Sequence, residues 1–246
     1  MSKPRVAFFD FASCEGCQLQ IVNLEEDLLQ VVEAVDVVSF REAMKEHSDD
    51  YDIAFVEGSI TRRSDEARIK DIRQNAKVLI ALGSCATLGG INCIKNFQEL
   101  GYVRRFVYGD MASHYETYPA RPLKAVVPVD FEIHGCPINR KEFATVVKDL
   151  LLGKKPALPN YPVCVECKMA GNVCVFELGM TCMGPVTRAG CGACCVTEGS
   201  VCWGCRGLVD DPNADSQREV LAKHGLGVQD ILNRFRLYTG FSEVAK

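Results

Sequence analysis

Short apolar runs alternate with longer amphipathic stretches over the first 152 residues, the pattern of a wound α/β sheet. Residues 6–11 read as a first strand, and Leu19, Val22, Leu24, Leu28, Leu29 and Val32 predict one face of the helix that follows. A second strand is expected over 35–40. A third is expected over 53–56, preceded by the turn-like Ser48-Asp49-Asp50 and followed by a polar helix over 62–74. The stretch 77–82, continuously apolar from Val78, predicts a fourth strand covered on both faces. A less regular region with Tyr102, Tyr108, Tyr115 and Tyr118 intervenes. A fifth strand over 126–133 carries Pro128, which argues for a sheet edge or a loop. Phe143, Val146, Val147, Leu150 and Leu151 at helical spacing predict a helix over 139–152 that stops at Gly153.

Residues 154–162, punctuated by Pro156, Pro159 and Pro162, read as a linker, and beyond them the periodicity disappears. Nine of the 14 cysteines lie from Cys164 to Cys205 among many glycines, as expected where a cluster, not a hydrophobic core, organises the chain. A final helix is expected over 230–238, its apolar face assigned to packing. The chain thus divides into an α/β domain over 1–153 and a Cys-rich, irregular domain over 154–246. The formal charge of -4 and the scattered Lys and Arg residues leave no basic stripe for nucleic acid. No run of about 18 uncharged apolar residues suggests a membrane span. Residues 1–9 are too short for a signal segment, and Arg62-Arg63 and Arg104-Arg105 are internal, so a reducing cytoplasm is the expected compartment.

Thiols at this density in a reducing compartment need a soft metal. Cys14 and Cys17 follow the first strand, Cys85 follows the fourth within Gly83-Ser84-Cys85, and Cys136 follows the fifth within Gly135-Cys136-Pro137. All four sit beyond the carboxyl ends of strands, the edge where open α/β sheets bind ligands. The glycines beside them let the backbone approach an inorganic core and present N–H groups to its sulfurs. A single such residue would read as a buried structural thiol; four on one edge read as a ligand set. In the Cys-rich part, Cys164, Cys167, Cys174 and Cys182 form one run, and Cys191, Cys194, Cys195, Cys202 and Cys205 another. A zinc ribbon built on 164/167 and 202/205 leaves five cysteines without a role. Twelve thiolates fill three four-cysteine iron–sulfur cubanes and leave two over.

In order and spacing these motifs, with Glu57-Gly58-Ser59, Leu178-Gly179, Gly184-Pro185 and Cys202-x-Gly204-Cys205, resemble the small, electron-transferring subunit of [NiFe] hydrogenases over about residues 5–210. The resemblance implies a flavodoxin-like first domain and a ferredoxin-like Cys-rich second one. It implies a proximal [4Fe-4S] cluster on Cys14, Cys17, Cys85 and Cys136, a distal one on Cys164, Cys167, Cys174 and Cys182, and a medial one on Cys191, Cys195, Cys202 and Cys205. The nickel–iron site would lie in a partner large subunit, with a flavin or iron–sulfur diaphorase-type subunit as a further partner. Cys164 in place of a histidine, and a fourth medial cysteine in place of a proline, resemble the cytoplasmic branch, including sulfhydrogenase delta and NAD(P)-linked small subunits. An all-thiolate set carries more negative charge and lowers the potentials. The choice of Cys195 over Cys194 rests on the family's C-x-x-x-C pattern; Cys194 and Cys93 are then spare thiols.

Two carboxylates are candidates for proton relay beside the proximal set, Glu57 and, more weakly, Glu15; the alternative for Glu57 is a helix N-terminal or interface carboxylate. His134 reads as a hydrogen-bonding group and not a ligand. No catalytic residue is expected in this chain, which should be inert alone. A competing reading is the single-cluster subunit of complex I and related enzymes, which typically pairs adjacent cysteines at the first ligand positions and lacks the Cys-rich tail. A zinc-bound interaction module is the alternative from another class.

Overall fold

The computed structural model describes residues 3–242. Five strands, β1 (Arg5–Asp10), β2 (Asp36–Phe40), β3 (Ile53–Glu57), β4 (Val78–Leu82) and β5 (Phe131–Ile133), form one parallel sheet in the order β2-β1-β3-β4-β5. That is the flavodoxin-like doubly wound order. Alternation along the strands divides the core between the two faces. Val6, Phe8, Phe55, Ile80 and Leu82 cover one, where Phe8 stacks on Phe55 at 5.0 Å and Phe55 meets Phe143 at 5.3 Å. Ala7, Ala54, Val56, Leu79 and Ala81 cover the other, against Ile69 and Ile72.

The connecting helices are α1 (Gly16–Val22), α2 (Glu26–Ala34), α3 (Arg63–Asn75), α4 (Gly83–Leu88), α5 (Leu100–Tyr108) and α6 (Arg140–Leu151). Three 3-10 segments, Gly90–Phe97, Gly109–His114 and Leu123–Ala125, fill the long excursion between β4 and β5. Beyond it come α7 (Val163–Met169), the single turn α8 (Cys194–Thr197), α9 (Ala214–Lys223) and α10 (Val228–Thr239). Here the apolar clusters are small, one of them including Cys182 and Cys202 themselves and the other built on Met183, Leu221, Ile231 and Phe235.

The single helix expected after β1 is two, broken where Glu25 turns left-handed at φ 57°. Its expected apolar face is accordingly split: Leu24 is buried, whereas Leu29 is 65% exposed. The fifth strand shrinks to three residues at the sheet edge, because a 3-10 turn and Pro128 occupy the preceding positions. Helices α4, α5, α7 and α9 are additional to the sequence pattern. The last is capped by Asn213, whose side chain accepts from Ser216 N at 3.1 Å. No helix among the described residues is long and apolar enough to cross a membrane.

Candidate functional site

The first thiol set assembles at the carboxyl edge of the sheet. Cys14 and Cys17 follow β1, Cys85 lies in α4 directly after β4, and Cys136 follows β5. Burial pushes Cys17 and Cys136 upward and takes Cys85 to about 12. Mutual repulsion adds to this, because Cys17 feels Cys136 and Cys85, and Cys85 feels Cys136 and Cys14. The backbone crowds close to the sulfurs. A β-carbon at Gly83, held at φ 80°, would stand 2.3 Å from Cys17 Sγ, and one at Gly90, at φ 58°, would stand 3.0 Å from Cys85 Sγ.

Glu57, at the end of β3 and 2% exposed, accepts the Cys17 N–H at 3.2 Å and the Gln18 N–H at 3.0 Å. Burial raises its pKa, while these donors act in the opposite direction. The structure thus gives Glu57 the helix N-terminal role, fixing the first turn of α1 and with it Cys17. Glu15 is partly exposed at φ 60°, and its pKa is raised by partial burial, then by the charges of Glu42 and Asp10. His134 is buried, contacts Thr87 Oγ1 at 3.2 Å, and is held down at about 3 by burial and then by Arg188 and Arg206, so its ring is neutral.

Cys164 gathers the second set. Its thiol, at about 11 through burial, feels Cys182, Cys167 and Cys174 in that order. A β-carbon at Gly184 would touch Cys182 Sγ at 3.3 Å and Cys164 Sγ at 3.4 Å, so a side chain there would fill the space between them. Cys182 ionises more readily than its neighbours, to about 6, because the Cys202 thiol donates to it and the Gly184 and Cys202 N–H groups lie 3.4 and 3.3 Å away. Cys202 is driven upward by the same contact and by burial.

The third group lines a cavity of about 470 Å³ containing Cys191, Cys194, Cys195, Cys202 and Cys205, with Cys136 and Tyr238 at its wall. Cys205, pushed to about 12 by burial, also feels Cys191, Cys136 and Cys195. Cys194 hydrogen-bonds with its neighbour Cys195. Cys93 is fully buried, with its thiol donating to Ala120 O at 3.4 Å, and lies near enough to Cys85 to add to its upward shift.

Four contributors carry no motif of their own. Glu166, between two cysteines of α7, accepts the N–H groups of Gly190 at 2.8 Å and Gly192 at 2.9 Å, shaping the Cys191 loop. Tyr238 of α10 hydrogen-bonds to Cys136, so the last helix is more than packing. Arg206 and Glu142 pair across the two parts of the chain. Only the place of Glu166 and Arg206 next to cysteines in sequence hinted at them.

Among the described residues no three His, Cys, Asp or Glu side chains converge tightly enough to hold a single metal ion. A four-iron cluster asks for a different arrangement, since each thiolate binds its own iron and the sulfurs stay apart around a volume. The donor set fits that demand: all 14 cysteines are free, and the buried thiols of Cys17, Cys85, Cys164 and Cys205 resist ionisation until a coordinated metal deprotonates them. Sulfurs also face N–H donors, Ile138 to Cys17, Cys136 to Cys205 and Ala193 to Cys191.

Comparison with known proteins agrees with this chemistry. Residues 14–150 match the family model described as NADH ubiquinone oxidoreductase, 20 Kd subunit. Sulfhydrogenase 2 subunit delta of Pyrococcus furiosus is 34% identical, the match covering 95% of this chain and 98% of that one. A vhu component of the F420-non-reducing hydrogenase of Methanocaldococcus jannaschii is 34% identical, over 95% of this chain and 94% of its own. A chain of the reduced, active Ni-Fe-Se hydrogenase from Desulfomicrobium baculatum shares the fold, with a TM-score of 0.57 at 17% identity over 88% of this chain and 98% of that chain. The chain belongs to the family of hydrogenase small subunits, the iron–sulfur electron-transfer components of hydrogenase complexes, built on the module described for the 20 Kd subunit of NADH ubiquinone oxidoreductase.

Proposed function

We propose that this chain holds three [4Fe-4S] clusters and connects the nickel–iron site of a large subunit to a further redox subunit in the cytoplasm. The observation that carries this reading is the convergence of Cys14, Cys17, Cys85 and Cys136 at the carboxyl edge of the sheet, next to a C-terminal segment that gathers nine more free thiols. Residues 1–153 would bear the proximal group on Cys14, Cys17, Cys85 and Cys136. Residues 154–246 would bear the distal group on Cys164, Cys167, Cys174 and Cys182, and the medial group on Cys191, Cys195, Cys202 and Cys205. When bound, such clusters supply one-electron carriers whose potential follows net charge, hydrogen bonds to sulfur and exposure.

The chain's own residues set those variables. Glu57 and Glu166 hold the Cys17 and Cys191 loops by their backbone N–H groups. The N–H groups of Ile138, Gly184 and Ala193 stabilise sulfur as thiolate. A protein partner fits the exposed apolar surface of α5, where Tyr102 and Phe106 are 63% and 79% exposed; α5 packs beside Gly90–Phe97, the segment that follows Cys85. The relatives' names, sulfhydrogenase and F420-non-reducing hydrogenase, support a hydrogenase complex as the assembly this chain serves.

The test is metal and sulfide analysis of the anaerobically purified complex. About twelve iron atoms per copy of this chain with matching labile sulfide and negligible zinc are expected for three cubanes. About four iron atoms would favour the single-cluster reading, and zinc without iron would overturn the assignment.

A further inference from the structure

Arg206 follows Cys205 directly, in a segment dominated by Gly and Cys. Arginine is almost never fully buried unless paired, yet Arg206 is 1% exposed, and no other Lys or Arg among the described residues is buried. All three nitrogens of its planar head are committed. Nε donates to Ala189 O at 2.7 Å, Nη1 to His134 O at 2.6 Å and Nη2 to Glu142 Oε1 at 2.6 Å. Ala189 lies two residues before Cys191, and His134 two residues before Cys136. One side chain therefore ties together the segments bearing Cys136, Cys191 and Cys205. The same junction is crossed by the Cys136 N–H, which donates to Cys205 sulfur, and by Ser84 Oγ, which donates to Cys205 O.

The surroundings are shaped to this head group. A β-carbon at Gly190, at φ 114°, would lie 2.3 Å from Arg206 Nη2 and 2.5 Å from Glu142 Oε1. Glu142 Oε2 is buried with no hydrogen-bond partner, so the pair is not optimised for stability. A buried ion pair contributes little net stability over well-packed apolar groups, so its three directed bonds and its charge are what apolar packing would not supply.

We propose that Arg206 is a positioning residue that sets the separation between the proximal and medial cysteine groups and places a buried positive charge between them, balanced by Glu142. This rests on the reading that both groups hold clusters. A lysine at this position keeps the charge and loses the fork; a glutamine at 142 keeps the fork's partner oxygen and removes the opposing charge.

The experiment is low-temperature EPR and redox titration of the anaerobically purified complex, as wild type, Arg206→Lys and Glu142→Gln, with iron content measured on each. In the wild type, magnetic interaction between the reduced proximal and medial clusters is expected. Its absence there, or an iron content too low for two clusters, sinks the underlying cluster assignment and is distinguishable from failure of the inference. Arg206→Lys should retain its iron but show a weakened or dispersed interaction. Glu142→Gln should raise the proximal and medial midpoint potentials while leaving the distal one in place, since net charge sets the potential. If Arg206→Lys does not assemble, the Glu142→Gln potentials decide alone. Unchanged potentials in that variant, or an unchanged interaction in a fully loaded Arg206→Lys, would overturn the proposal and leave Arg206 a purely structural tie.

Discussion

Replacing Glu57 separates a positioning carboxylate from a proton relay. Its two oxygens accept the N–H groups of Cys17 and Gln18 at 3.2 and 3.0 Å, and only 2% of the residue is exposed, so water cannot substitute for it without rearrangement. In Glu57→Gln one oxygen remains, and the amide nitrogen is turned toward the second donor. One buried N–H is then orphaned, at a cost of about 1–3 kcal/mol, and Glu57→Ala orphans both, at about 2–6 kcal/mol before the lost packing is added. Part of this is returned, because burial already disfavours the ionised carboxylate. Denaturant unfolding of the two variants, with iron content measured on the same samples, should show Ala losing more than Gln, and iron lost first from the proximal group. A relay predicts the reverse pattern: Glu57→Gln would unfold and load iron like the wild type, yet lose hydrogen–deuterium exchange activity in the complex. That result would refute the positioning argument.

Cys195→Ser is expected to lose a cluster or convert it to a three-iron form, whereas Cys194→Ser and Cys93→Ser should retain all iron; full iron in Cys195→Ser would move the ligand role to Cys194. Gly83→Ala should abolish proximal cluster assembly, because the added methyl would stand 2.3 Å from Cys17 Sγ at a φ of 80° that disfavours alanine, and a normal proximal EPR signal would contradict this. Asp52 accepts the Arg5 N–H and the Lys77 ammonium, both at 2.8 Å, and its pKa is lowered from 3.8 to about 2, chiefly by Lys77 and then by the Arg5 N–H. The carboxylate therefore stabilises the fold above its ordinary pKa and ceases to do so as pH falls through about 2. Asp52→Asn should cost about 1–2 kcal/mol at neutral pH after solvent screening, with the difference shrinking on acidification below pH 4 in pH-dependent denaturation curves; a pH-independent difference would contradict the linkage.

Much of the sheet was legible because strands buried on both faces must be apolar throughout. The runs 53–56 and 77–82 correspond to Ile53–Glu57 and Val78–Leu82, and the helix expected over 62–74 is Arg63–Asn75. The pattern misled where local conformation broke a periodic stretch. Leu29 belongs to an apolar spacing that reads as one face, and the left-handed turn at Glu25 rotates it into solvent. Helix α5 was illegible for the opposite reason, since none of its apolar residues is buried within the chain. The thiols were read from glycine neighbours and spacing, and their placement beyond β1, β4 and β5 follows from the connection order of a parallel sheet.

What the residues determined alone was the inventory: five parallel strands, four cysteines on one sheet edge and nine in a glycine-rich tail, because periodicity and ligand chemistry are local properties. Tertiary structure alone decided which groups meet. Glu57 reaches Cys17 across 40 positions, Arg206 reaches His134 across 72, and Tyr238 reaches Cys136 from the last helix. Such contacts depend on how separate elements pack, and no spacing along a chain encodes a distance between segments that only folding brings together.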